Sequence, residues 1–200
     1  MKSTENNLHH LFDEKVAANM AAAFLFLAGG ELYFLKLMKL MYLAERKSYQ
    51  LYAEPIVGDR MVSMNYGPVL SNTYNLIKTG SNQVAEGGWE TWVSDAENYK
   101  LKLRKSLNSI EDLPMLSEAQ IEIVYSIWSE FKDYDRFELA KHTHNICPEW
   151  EDPDGSMYPI DLSRLLKVLN YDDVAISHIL NDLREQALIK ERILNATTAS

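Results

Sequence analysis

LYFLKLMKLMYLAERKSYQLY, residues Leu32 to Tyr52, decides how the rest of the chain must fold. Lys36, Lys39, Arg46, Lys47 and Gln50 recur at helical spacing and cover an arc of only about 100° on a helical wheel. Most other positions are Leu, Met, Phe, Tyr or Ala. A helix apolar over most of its girth belongs inside a domain, with its basic stripe as the one edge facing water. Charges interrupt it too often for a membrane span. Glu45 breaks the pattern: it points almost opposite the basic stripe, among Tyr42, Tyr49 and Tyr52. A carboxylate so placed is expected to be partly buried, accepting a hydrogen bond from a tyrosine hydroxyl or a backbone N–H. No second carboxylate or nucleophile stands near it in sequence, so it does not read as a catalytic acid.

Working outward, the alanine-rich run from Leu8 to Ala28 predicts a helix that Gly29-Gly30 ends. The central helix closes before Pro55. PIVGDRMVSMNYGPV follows, with Gly58-Asp59 as a turn, and reads as a small hairpin or an extended loop. Gly67-Pro68 breaks the chain and places Pro68 in the first turn of a helix from Val69 to Lys78. After a polar loop, WETWV and YKLKL alternate on either side of residues 94–98, the pattern of a surface β-hairpin with Lys100, Lys102 and Arg104 on one face. Ser117 to Gln120 carries a capping-box pattern that opens an amphipathic helix through Ile121, Val124, Tyr125, Trp128 and Phe131. A short helix from Arg136 to His142 precedes an irregular segment, Thr143 to Pro159. Helices over Asp161–Leu169 and Asp172–Ala187 complete the chain, with an unstructured tail over 195–200. The expected fold is mainly α: one compact helical domain, residues 1–194, around a buried central helix, with one small antiparallel β-hairpin.

Composition narrows the function. Of 200 residues 46% are apolar, enough for a core, which excludes a wholly disordered chain. A net charge of −9 argues against nonspecific binding to nucleic acid or anionic lipid. Cys147 is the single cysteine, so no internal disulfide forms, and the first ten residues lack the apolar core of a signal peptide. A cytoplasmic protein is expected.

Three chemical readings were open to the motifs. His142, His144 and Cys147 are all competent metal ligands, yet structural zinc takes four, and a second Cys/His cluster is missing. Neither a metal nor a cofactor is expected. Cys147 has histidines nearby, but nothing supplies an oxyanion hole, and GxSxG, GxGxxG and the P-loop pattern do not occur. An enzyme is not expected. The last two helices have a helix-turn-helix cadence, but the second carries Asp172, Asp173, Asp182 and Glu185 against Arg184, the wrong sign for a DNA-reading helix. Met38, Met41, Met61 and Met64 cluster around the central helix and the loop before Gly67, as gap-fillers or as an adaptable surface.

Three segments in order resemble one known family. Leu37 to Ala44, LMKLMYLA, with Lys39, Leu40, Tyr42 and Ala44, resembles the core-helix motif of the Panacea domain, also called the SocA-like antitoxin domain. Tyr66-Gly67-Pro68-Val69 is similar to its YGPV signature, and Thr143-His144 followed by Pro148 and Trp150 is similar to its TH…PW stretch. The resemblance runs over about residues 15–185. Met38 stands where a Gln is expected, and the segment from Trp89 to Leu103 is longer than in a minimal member. The resemblance implies an antitoxin of a bacterial or prophage toxin–antitoxin pair, acting by contact with a cognate toxin encoded by a neighbouring gene. Some members instead act as adaptors that deliver the toxin to a protease, and a DNA-binding regulator using the C-terminal helices is the further alternative. Tyr66, Gly67, Pro68, His144 and Trp150 are expected to be architectural. Partner contacts are expected from exposed positions: Lys36, Lys39 and Arg46 on the wet edge, or Trp89 and Trp92 on the hairpin.

Overall fold

The computed structural model describes residues 8–81, 86–94 and 96–198. Residues 82–85 of the expected polar loop, residue 95 of the expected turn at 94–98, residues 1–7 and residues 199–200 lie outside the described residues. Helix α1 (Glu14–Leu27) begins at Asp13, whose carboxylate accepts the N–H groups of Lys15 and Val16. That cap divides the predicted first helix in two, leaving Leu8–Leu11 as a separate 3-10 turn. Gly29 and Gly30, with φ of +83° and +106°, stop α1 as expected. Strand β1 (Glu31–Tyr33) takes the first residues of the expected central helix, and α2 (Phe34–Tyr52) runs to a left-handed Ala53, ahead of Pro55.

β2 (Met61–Met64) and β3 (Gly67–Leu70) form a hairpin that turns at Asn65-Tyr66 rather than at Gly58-Asp59. Pro68 is therefore in a strand, opposite Ser63, and not in a helix. β3 is an edge strand, where a proline without an N–H is tolerated. Helix α3 (Ser71–Thr79) starts later because Asp59 caps it from a distance. Its carboxylate accepts the N–H of Asn72 at 2.9 Å, the N–H of Thr73 at 2.8 Å and the Thr73 hydroxyl at 2.8 Å.

The segment from Trp89 forms no strand. It is a single helical turn, α4 (Trp89–Trp92), because W-E-T-W sets its two indoles three apart, on one face of a helix. That face packs on α1, and Glu14 accepts the Trp89 N–H at 3.0 Å. β4 (Lys100–Lys102) pairs with β1 instead, leaving of the predicted hairpin the isolated bridges Val93 to Leu103 and Glu97 to Lys100.

Helix α5 (Glu118–Phe131) opens with both halves of its capping box, Ser117 and Gln120. Helix α6 (Arg136–Ile146) runs four residues past its expected end, so Thr143 and His144 belong to its last turns. β5 (Tyr158–Pro159) adds to β2, giving a sheet in the order β3-β2-β5. α7 (Leu162–Val168) and α8 (Asp173–Thr198) follow, and the expected loose tail is helical as far as Thr198. Lys190 of α8 donates to the carbonyl oxygens of Leu11 and Phe12 at 3.0 and 3.3 Å and pairs with Asp13 at 3.2 Å. The N-terminal turn that carries His9 and His10 is thereby docked. α1, α5, α6 and β3 all pack around α2, so the central helix is where the sequence puts it, in a mainly α fold with minor antiparallel β structure.

Candidate functional site

The basic stripe of α2 faces inward. Lys36 is only 8% exposed and Lys39 is fully buried, which corrects the expected wet edge. α5, α6 and β3 cover that side, and each cation finds a protein oxygen in place of water. Lys36 Nζ donates to the carbonyl oxygens of Lys132 and Tyr134 at 2.5 and 2.6 Å, just beyond α5, where a helix end concentrates negative potential. Lys39 Nζ donates to the Pro68 carbonyl at 2.8 Å. Arg46 Nε donates to Glu149 at 2.8 Å, and the Tyr42 hydroxyl donates to the same carboxylate oxygen at 2.7 Å. Glu149 is 1% exposed, yet nothing in the sequence marks it as the partner of this edge. Burial and the neighbouring Glu149 charge push the Tyr42 phenol well above its ordinary range.

Glu45 is buried as expected, and the donors are backbone. Its Oε2 accepts the N–H groups of Ile56 and Val57, and its Oε1 that of Gly58, all at 2.9 Å. Burial pushes this carboxyl up to about 7, against the opposing pull of the three N–H groups. Its work is to hold the chain from 56 to 58 against α2.

The three motif segments meet at one point beside α2. Gly67 has φ +91°, and a Cβ built on it would lie 2.5 Å from Thr143 Oγ1 and 3.2 Å from both His144 Cδ2 and Lys39 Nζ. Leu40, Ala44 and Val69 are buried, while Pro148 is exposed. Thr143 is buried and donates to the Ala140 carbonyl at 2.7 Å. The Trp150 ring is half-buried and stacks on His144 with centroids 3.9 Å apart and planes 3° from parallel. Its Nε1 donates to the Met64 carbonyl at 3.0 Å, tying the loop after α6 to the hairpin. Burial and the adjacent Lys39 pull the His144 imidazole down, favouring the neutral ring, and its buried Nε2 has no hydrogen-bond partner.

The candidate ligands do not converge. His142 packs on Phe131 and Tyr134, whereas His144 stacks on Trp150. Among the described residues no group of three His, Cys, Asp or Glu side chains is placed to hold a metal. Cys147 is buried, and burial together with Glu149 pushes its thiol up to about 12, far from thiolate formation at neutral pH.

Lys39 yields a pH signature. Burial pulls its amine down to about 7 from an ordinary 10.5. Between those two values the unfolded chain holds a proton that the folded chain has released. This group therefore makes stability rise as pH climbs from about 7 to about 10.5. Lys39→Met removes the titration and replaces a desolvated amine with a side chain of similar length. Its unfolding free energy is expected to equal or exceed the wild type at pH 7, with the advantage shrinking towards pH 10. Chemical denaturation of both proteins across that range measures it, and parallel curves would show that Lys39 stays charged.

Beside the motif cluster opens a cleft of about 630 Å³. Met38, Lys39 and Met64 are among its lining, and Tyr33, Phe34, Tyr66, Tyr74, Tyr99 and Phe137 surround them with rings. Met38, Met41 and Met61 all belong to the buried core and Met64 packs against it, and of the four Met38 and Met64 also line the cleft. The Arg136 guanidinium lies 3.9 Å from the Tyr33 ring centre and 4.7 Å from that of Phe137. Lys78 sits over Phe34 and Tyr74 at 5.0 and 5.6 Å. Trp89 and Trp92, expected as exposed anchors, are 2% and 3% exposed because α4 is pressed onto α1. Tyr66, expected to be architectural, is 62% exposed at the hairpin turn. The cleft draws its rings and cations from several separate segments, and no spacing in the sequence could have joined them.

Fold and site together define a mainly helical domain whose polar groups knit its core and whose rings gather at one open cleft. Among the described residues no helix is long and apolar enough to cross a membrane. The chain belongs to the family described as antitoxin SocA-like, Panacea domain, whose model matches residues 37–151. No curated protein and no solved structure matches it. The matched stretch begins inside α2 and ends just after Trp150, so it holds the whole motif cluster; it is shorter than the span read from sequence. Membership supports an antitoxin-type, non-enzymatic role and, in general terms, a toxin as partner.

Proposed function

We propose that this protein neutralises a cognate toxin, the product of a neighbouring gene, by binding it directly in the cytoplasm. The observation that carries this reading is the aromatic cleft, which an antitoxin-family domain holds open beside its motif cluster. Tyrosine and arginine at such a surface supply large, rigid contact area at low entropic cost. Nothing in the buried network around Lys39, Glu149 and Cys147 offers a competing chemistry, since its groups are paired or desolvated.

Co-expression tests it. A neighbouring reading frame that arrests growth alone is expected to be tolerated with this protein, and the two products are expected to co-purify in a fixed ratio. Rescue accompanied by loss of the toxin, reversed in a protease-deficient host, would replace neutralisation by an adaptor role. A neighbouring product that neither arrests growth nor co-purifies overturns the reading.

A further inference from the structure

The cleft is charged unlike the rest of the chain. The protein has 29 acidic and 20 basic residues, yet among the described residues the lining includes Lys39, Lys78 and Arg136 and no Asp or Glu. Neither Lys78 nor Arg136 joins any ion pair among the described residues. Both lie over rings instead, Arg136 against Tyr33 and Phe137, Lys78 against Phe34 and Tyr74. A guanidinium steadied on aromatic rings keeps its planar fork of donors for a carboxylate, which it binds through two parallel hydrogen bonds. Beneath the rim, Met38 and Met64 provide a deformable apolar lining that accepts side chains of varied shape. The surface offers cations at its edge, rings at its walls and thioethers within.

We infer that the cleft receives a short segment of the toxin in which an aliphatic or aromatic side chain is flanked by aspartate or glutamate. The apolar side chain enters beside Met38 and Met64, and the carboxylates meet Arg136 and Lys78. This inference rests on the antitoxin reading above. Net charge separates such a segment from a nucleic acid. A long polyanion would run beyond the cleft and meet a chain of net charge −9, whereas a segment with one or two carboxylates feels chiefly the cations within a Debye length of roughly 8 Å.

Binding of the co-purified toxin is measured by calorimetry for the wild type, the double variant Arg136→Glu/Lys78→Glu, Tyr66→Ala, and Lys167→Glu on α7 as a control outside the cleft. Like charges facing one another cost several kcal/mol, so the double variant is expected to bind at least about 100-fold more weakly. Tyr66→Ala is expected to lose about 10-fold, because its exposed ring contributes contact rather than fold. The control should stay within about threefold, the ordinary effect of a rim charge away from a contact. Unchanged thermal unfolding of the variants assigns these losses to the surface, and an Asp or Glu to Lys change in the toxin that restores the double variant identifies the facing segment. If the wild type binds and the double variant binds within about threefold of it, the cleft assignment is overturned while the antitoxin reading stands. If the wild type self-associates and the double variant does not, the occupant is a second copy of this chain and the inference fails. A wild type that does not bind the toxin overturns the antitoxin reading itself.

Discussion

Glu149→Ala is expected to lose about 3–5 kcal/mol of unfolding free energy, the usual consequence of stripping one partner from a buried, hydrogen-bonded ion pair. Glu149 is 1% exposed and its Oε1 takes both the Tyr42 hydroxyl and Arg46 Nε. Removing it leaves a guanidinium whose side chain is only 17% exposed, and a fully buried phenol, with no acceptor. The loss would be a large part of the roughly 5–15 kcal/mol that holds a domain folded. Glu149→Gln keeps the shape and one acceptor oxygen and should lose less. Arg46→Met in the Glu149→Ala background should recover part of the loss by removing the orphaned charge. Urea denaturation of the three variants measures this. A Glu149→Ala protein with the wild-type midpoint would show that water reaches Arg46 and Tyr42 and that the pair is not a dry one.

The second large effect is expected at Gly67. A valine there must adopt φ near +91°, a region β-branched residues avoid, and its Cβ would meet Thr143 Oγ1 at 2.5 Å. Thr143 is itself buried and bonded to the Ala140 carbonyl, so it has little room to withdraw. Strain and overpacking together should cost roughly 3–5 kcal/mol, enough for Gly67→Val to accumulate as aggregate or to melt many degrees lower. Gly67→Ala in a Thr143→Ser background relieves none of the backbone strain and, since Oγ remains, little of the clash. It should stay destabilised. A Gly67→Val protein with unchanged melting would mean that the hairpin turn can be rebuilt without positive φ.

Legibility in the sequence followed the range of the interactions. Local devices were visible: the Gly29-Gly30 stop, the Ser117–Gln120 capping box and the apolar girth of α2 all arise within a few residues. Where a distant group intervenes, the local pattern misleads. Pro68 looks like a helix start, but Asp59 caps α3 from twelve residues before its first turn and moves that start to Ser71. W-E-T-W alternates like a strand, yet Glu14 and the face of α1 make it a helical turn. The stripe of Lys36, Lys39 and Arg46 looks wet because its acceptors, the carbonyls of Lys132, Tyr134 and Pro68 and the carboxylate of Glu149, lie far along the chain. The cleft was the least legible part, since Tyr33, Lys78, Tyr99 and Arg136 acquire a common purpose only when β1, α3, β4 and α6 are assembled.

The clasp between α8 and the first turn has a consequence for where this domain stops. The matched stretch, 37–151, omits both α1 and α8. Yet Ala17, Ala18, Ala21, Ala22 and Ala23 of α1 are all completely covered, and Lys190 locks the turn just ahead of them. Cutting the chain at the recognised motif would strip a wall from the interior and leave the near side of α2 facing solvent. A fragment cut to 37–151 is therefore expected to unfold more readily than the chain with α1 and α8, which close like a belt and buckle around the part by which the family is known.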